Sequence, residues 1–201
     1  MAQDYGGKSV NIKHEDMRVV KTKGSLLQSF FKLLSEKTFE EITVNELCQE
    51  AGVRRATFYK HFEDKNDFLF KAVKMLRERF DSLIWKKSKP GSTKQYYVEY
   101  VRGLIVYINE HFTAARNILA SNLTEGVIHI IAIQNYEETR SRLEKSVNDG
   151  ISIPASVEST SLMLVGGVAQ IIIDWVAKDR PVPVEKLFIE IEALVSALIR
   201  D

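Results

Sequence analysis

A single cysteine, Cys48, stands in a chain of 201 residues. Without a second thiol an intramolecular disulfide framework is excluded, and a reducing compartment is the expectation. Prolines number only four and glycines ten, so periodic segments can run long without interruption. Residues 1–18 have no apolar core of the signal-peptide kind. No stretch of about 18 consecutive apolar residues stands out as a membrane span. The expectation is therefore a soluble, cytoplasmic protein with no membrane partner. Histidine is sparse as well: His14, His61, His111 and His129 lie far apart, with neither HExxH nor a Cys/His ligand spacing. No metal site and no cofactor are expected. A GxSxG elbow and a phosphate-binding glycine loop are missing too, so the chain does not read as an enzyme.

Net charge is also small, +1 overall, but it is unevenly spread. Residues 1–89 hold 18 Lys+Arg against 13 Asp+Glu, and residues 90–201 hold 10 against 14. A basic front and an acidic back place any polyanionic partner at the front. With 45% hydrophobic residues, the chain can bury a core as one compact unit or two small ones.

What is present is helical periodicity. Residues 1–15 are polar, contain Gly6-Gly7 and read as a flexible arm. From residue 16 to 37, Val19, Leu26, Leu27, Phe30, Phe31 and Leu34 recur at helical spacing. Short helices are expected over 44–51 and 55–61, and a long one over 65–87. Ser88-Lys89-Pro90-Gly91-Ser92 is the clearest break. Beyond it, Tyr97, Val101, Leu104, Ile105, Ile108 and Phe112 form one stripe, followed by a short segment over 113–123. The β-branched run from Val127 to Ile133 has strand propensity, yet it flows into the charged run from Tyr136 to Lys145 with no turn signal. Residues 125–148 therefore read as helix. Further helices are expected over 155–178 and 184–200. The fold class is all-α: a three-helix N-terminal unit at 16–65, then a helical regulatory and dimerisation unit at 66–201.

The informative stretch runs from Thr43 to Phe62. Thr43 and Glu46 have capping-box spacing. Val44, Leu47 and Cys48 share an inward face, and Gly52 supplies the left-handed residue of a tight inter-helix turn. On the next helix Phe58 and Phe62, four apart, point into a small core. Its remaining faces carry Arg54, Arg55, Ala56, Thr57, Tyr59, Lys60 and His61. Cations, hydroxyls and an imidazole are what a helix in a major groove requires for phosphates and base edges, and the small Ala56 permits close approach. The pattern is that of a DNA-binding helix-turn-helix.

On Phe39-Glu-Glu-Ile-Thr-Val-Asn-Glu-Leu-Cys-Gln-Glu-Ala-Gly-Val53, then Thr57-Phe-Tyr-Lys-His-Phe62, then Asp64-Lys65, the chain resembles the tetracycline-repressor-like transcriptional regulators. The resemblance covers about residues 25–70. It implies a homodimer that binds double-stranded operator DNA, typically a repressor released by a small-molecule effector. Some relatives instead act as coactivators through a protein partner. By motif position, Thr57, Tyr59, Lys60, His61 and Lys65 would meet the DNA backbone, Arg55 would read bases, and Thr43 is a further DNA-binding candidate. Arg54 stands where the family often has a serine; arginine cannot accept the cap hydrogen bond and can instead add a DNA contact.

In the last two helices, Gly166, Gly167, Ile171 and Trp175, with Phe188, Ile191 and Val195, suit a four-helix interface between two protomers. Phe80, Trp85, Tyr97, Tyr100, Tyr107, His111 and Tyr136 are candidates to line an effector pocket.

Overall fold

The computed structural model describes residues 17–87 and 92–199, with side chains left undescribed at 81 and 83–87. The expected arm at 1–15 and the break at Ser88–Gly91 thus lie outside the described residues. Among those described, nine helices and no extended strand occur: α1 (Met17–Leu34), α2 (Val44–Glu50), α3 (Arg55–Tyr59), α4 (Lys65–Lys87), α5 (Thr93–Glu110), α6 (Phe112–Leu119), α7 (Thr124–Asn148), α8 (Val157–Ala177) and α9 (Val184–Leu198).

Helix boundaries follow local chemistry. Ser92 caps α5 by accepting from Gln95 N, and Ser156 caps α8 by accepting from Ser159 N. Asp64 Oδ1 accepts from Asp67 N at 2.8 Å just ahead of α4. α1 stops as an α-helix at Leu34, short of the expected residue 37, although Ser35 N and Lys37 N still reach Phe31 O and Leu33 O. Gly150, with φ of 98°, terminates α7. α7 is continuous through the β-branched run, so tertiary packing overrides strand propensity there: Val127, Asn135, Thr139 and Leu143 are its buried side.

Two hydrophobic cores result. The first joins Leu26, Phe30 and Leu34 of α1 with Ile42, Leu47, Phe58, Phe62, Phe68 and Leu69. It extends past residue 65 to Ala72 on α4, and Ala114 of α6 and Val127 of α7 enter it. The second gathers Tyr97, Val101, Ile105, Leu143, Leu164, Ile172, Trp175, Leu187, Ile191 and Val195 from α5, α7, α8 and α9. Polar clips fasten α6 to the first unit. Asn117 Nδ2 donates to Leu34 O at 2.7 Å and Lys37 O at 3.2 Å, and Asn122 N donates to Glu40 Oε1 at 2.8 Å.

The sequence reading placed Trp175, Phe188, Ile191 and Val195 against a partner; the structure buries all four within their own chain. Trp175 Nε1 even donates to Val182 O at 2.8 Å. Ile171 is half-buried, while Gly166 and Gly167 are exposed with open space above them. The outer face of α8 and α9 instead shows Leu162, Met163, Ile189 and Leu194, exposed by 60, 64, 65 and 51%. By length and composition alone α8 is apolar enough to cross a membrane, which the sequence reading did not anticipate. Here it is a core helix, with Leu164, Val168, Ile172, Trp175 and Val176 buried.

Candidate functional site

The helix-turn-helix is built from its first cap outward. Thr43 Oγ1 accepts from Glu46 N at 3.2 Å while Glu46 Oε2 accepts from Thr43 N at 3.0 Å, closing the capping box. Lys37 Nζ adds an ion pair to Glu46 Oε1 at 2.6 Å. The lysine bond and the two threonine bonds hold the Glu46 carboxyl down to about 2. At the other end of α2, Gly52 takes φ of 64°. Its N–H donates to Gln49 O and the Val53 N–H to Cys48 O, the paired bonds of a Schellman ending. The turn therefore has two satisfied ends and a fixed exit angle.

α3 is shorter than expected and ends at Tyr59, because Lys60 closes it with a tight bond from its N–H to Phe58 O. Beneath it the rings of Phe58, Phe62 and Phe68 lie 4.9–5.9 Å apart, and Phe30 meets Phe68 at 5.2 Å. This aromatic bed sets the helix's rotation. It leaves Arg54, Arg55, Ala56, Tyr59 and Lys60 exposed and Thr57 and His61 half-buried. The Arg55 guanidinium lies 5.9 Å from the Tyr59 ring centroid, so the two long side chains share one row. Arg54 heads the helix with no side-chain cap bond, as its chemistry requires.

Two of the candidate DNA-binding residues bond within their own chain, Thr43 as its capping-box spacing implies and Lys65 otherwise than expected. Thr43 spends its hydroxyl on the capping box. Lys65, expected to reach a phosphate, turns inward: its Nζ donates to Phe39 O, Glu40 O and Ile42 O at 2.8, 3.1 and 2.7 Å. All three ammonium protons are engaged, and burial lowers its pKa below the usual lysine value. The ammonium also lies 4.4 Å from the Phe39 ring centroid. Lys65 is thus a clip between the α1–α2 connection and α4. No sequence signal marked it, because its acceptors are backbone carbonyls more than twenty residues away.

A second feature is a cavity of about 210 Å³ between the two units. Of the aromatics expected there, Phe80, Tyr100, Tyr107 and His111 line it. Tyr97 does not: it is core, and its hydroxyl donates to Leu164 O at 2.8 Å. Tyr136 also lies off the cavity wall, and the Trp85 side chain is outside the described residues. The sequence reading missed Arg77 and Gln134, and it missed that Phe30, Phe31 and Leu34 of α1 form part of the wall. Phe31 packs on Tyr107 and on His111, each with ring centroids 5.6 Å apart. Burial raises the Tyr107 phenol to about 12. Among the described residues no cluster of His, Cys, Asp or Glu is arranged to hold a metal ion.

Residues 26–73, which contain this helix-turn-helix, match the family described as "Bacterial regulatory proteins, tetR family". An uncharacterized HTH-type transcriptional regulator of Bacillus subtilis, YxbF, is 38% identical over 58 residues, 28% of this chain and 15% of that protein. The aligned part is thus a small fraction of that relative's length. Two solved structures share the fold more widely. The dihydroxyacetone kinase operon activator DhaS superposes with a TM-score of 0.67 at 18% identity, over 89% of this chain and 96% of its own. FadR from Bacillus subtilis, solved with stearoyl-CoA, superposes with 0.63 at 17% identity, over 86% and 96%. The match to the tetR family of bacterial regulatory proteins thus lies on the helix-turn-helix at residues 26–73, while over most of the chain the helical layout is similar to that of these solved structures.

Proposed function

We propose that the protein is a homodimeric, sequence-specific DNA-binding transcriptional regulator, a repressor whose hold on its operator is released by a small molecule. The single observation that carries this reading is the exposed row of Arg54, Arg55, Tyr59 and Lys60 on a helix whose rotation is fixed by buried phenylalanines. Such a row supplies cations for phosphates and one long fork for a base edge. Thr57, Tyr59, Lys60 and His61 are assigned to phosphates, Arg55 to bases, and Ala56 to close approach. Thr43 and Lys65 hold the frame that presents them.

One helix-turn-helix reads only a half-site, so the reading needs a second protomer. We assign that contact to the outer face of α8 and α9, where Leu162, Met163, Ile189 and Leu194 are exposed beside Gly166 and Gly167. Small residues there allow two helices to approach closely.

Control by a ligand is supported by where the cavity lies. Its wall includes Phe30 and Leu34, which are also members of the helix-turn-helix core, and α4 runs from that core along the cavity. A guest therefore acts on α1 and α4 together, and it changes DNA affinity only as far as it prefers one arrangement over the other. FadR, which shares the fold, was solved with an acyl-CoA. The test is selection of binding sites from a random duplex library. The expected result is a palindrome with half-sites about one helical turn, roughly 34–36 Å, apart. Failure to enrich any sequence overturns the reading. DhaS, of the same fold, is an operon activator; a reporter gene behind the selected site decides the direction of control.

A further inference from the structure

The cavity's lining says what kind of molecule it takes. Among its described residues there is no carboxylate, and Arg77 is the lone permanent cation. An ammonium entering it would lose its water and find no counter-charge. The wall therefore disfavours a cationic guest, whose attraction to the aromatic faces would have to offset that desolvation and the charge of Arg77.

The guanidinium and the side-chain amides are gathered at one end. Arg77 Nε donates to Asn135 Oδ1 at 3.3 Å, and its guanidinium sits 5.8 Å from the Tyr100 ring centroid. Asn135 is itself satisfied, since its Nδ2 donates to Ile131 O at 2.8 Å. Its neighbour Gln134 is different: the Oε1 atom is buried and meets no donor among the described residues. Native structures rarely leave such an acceptor unpaired. From Tyr100 the wall continues along α5 through Leu104, Tyr107 and Ile108 to His111. Eleven helical residues span roughly 16 Å at the α-helical rise. The far end is aromatic, with Tyr107 and His111 rings 4.3 Å apart beside Phe31. The space is thus elongated, apolar along its length, and short of one hydrogen-bond donor near Gln134.

We propose that the effector is an uncharged, elongated amphipath: a hydrocarbon body lying along α5, with a hydroxyl or N–H head that donates to Gln134 Oε1. Gln134 lines the cavity, and its Oε1 atom is the acceptor there that has no partner among the described residues. Arg77, bonded to Asn135, lines the same space. This inference rests on reading the cavity as the effector site, and it is independent of whether the protein binds DNA.

The experiment uses the full chain without DNA and three probes with one shared tail: 1-decanol, decyl methyl ether, which lacks the donor, and decyltrimethylammonium. Binding is measured by calorimetry and by thermal shift. Decanol is expected to bind one per protomer, the ether about fivefold more weakly for its missing hydrogen bond. The ammonium should bind more than about tenfold more weakly than decanol. Gln134→Leu should bring decanol down to the ether's affinity while leaving the ether's own binding intact, which also reports that the variant is folded. The proposal is overturned if no probe binds, if ether and alcohol bind alike to the wild type, or if the ammonium binds as tightly as the alcohol. Loss of selectivity for a DNA site would overturn the regulator reading and leave these results standing.

Discussion

Lys65 offers the sharpest perturbation, because two accounts of it predict different things. If its ammonium fastens the α1–α2 connection to α4, Lys65→Met removes three bonds, at 2.8, 3.1 and 2.7 Å, while keeping most of the stem. A hydrogen bond to a charged group is worth about 1.5–3 kcal/mol. The three share one charge and do not add, and water can replace the bond to the exposed Glu40 carbonyl. The carbonyls of Phe39 and Ile42, whose side chains are buried, are the ones left with weaker partners. The loss should therefore be about 2–3 kcal/mol, a fall in melting temperature of roughly 4–12 °C for a chain of this size. Urea unfolding of wild type and variant measures it. Clip and phosphate contact separate in a second assay. A phosphate contact would lower the salt slope of DNA binding by about 0.9; a clip leaves the slope unchanged even where affinity falls. A stability loss below about 0.5 kcal/mol, together with a reduced slope, would refute the assignment.

Three further outcomes are expected. Arg55→Ala should cost about 1–3 kcal/mol on the selected site and far less on random duplex, whereas Lys60→Ala should weaken both alike; anisotropy titrations on the two duplexes decide it. Met163→Glu on the exposed face should give a folded monomer by light scattering, while Ile191→Glu, placed in the core, should unfold the chain; a folded, dimeric Met163→Glu would remove that face from the interface. Glu46 has its carboxyl held at about 2 against an ordinary 4.5. Its folded value is depressed, so its contribution is fully present above about pH 4.5 and is lost as pH falls through about 2. The stability gap between wild type and Glu46→Gln should close over that window and stay constant above it, by thermal unfolding across pH.

Much of this molecule could be read from local chemistry. Thr43 with Glu46, Gly52, Ser92, Ser156 and Gly150 each act within a few residues, and each marks a helix end where the sequence suggests one. The exposed face of α3 was legible for the same reason: Phe58 and Phe62, four apart, fix which side turns inward. Long-range partners were not legible. Lys65 reaches carbonyls and Asn117 reaches Leu34 and Lys37 across 80 or more residues; neither side chain announces its acceptor. The apolar stripe of α9 misled in an instructive way. Leu187, Phe188, Ile191 and Val195 form its most hydrophobic side, and that side serves the protomer's own core. The less continuous set with Ile189, Ala193 and Leu194 faces outward. An amphipathic pattern identifies a buried side without telling which neighbour covers it.

The central claim is that the basic face of α3 binds DNA by sequence. Its most direct test is fluorescence anisotropy of the full-length protein on its selected duplex and on a scrambled duplex, across a salt titration. The account predicts tight binding to the selected site and affinity for both duplexes that falls linearly with salt on logarithmic axes. The selected site should bind by about 10³-fold or more over the scrambled one. Equal affinity for the two duplexes, or binding indifferent to salt, would contradict it.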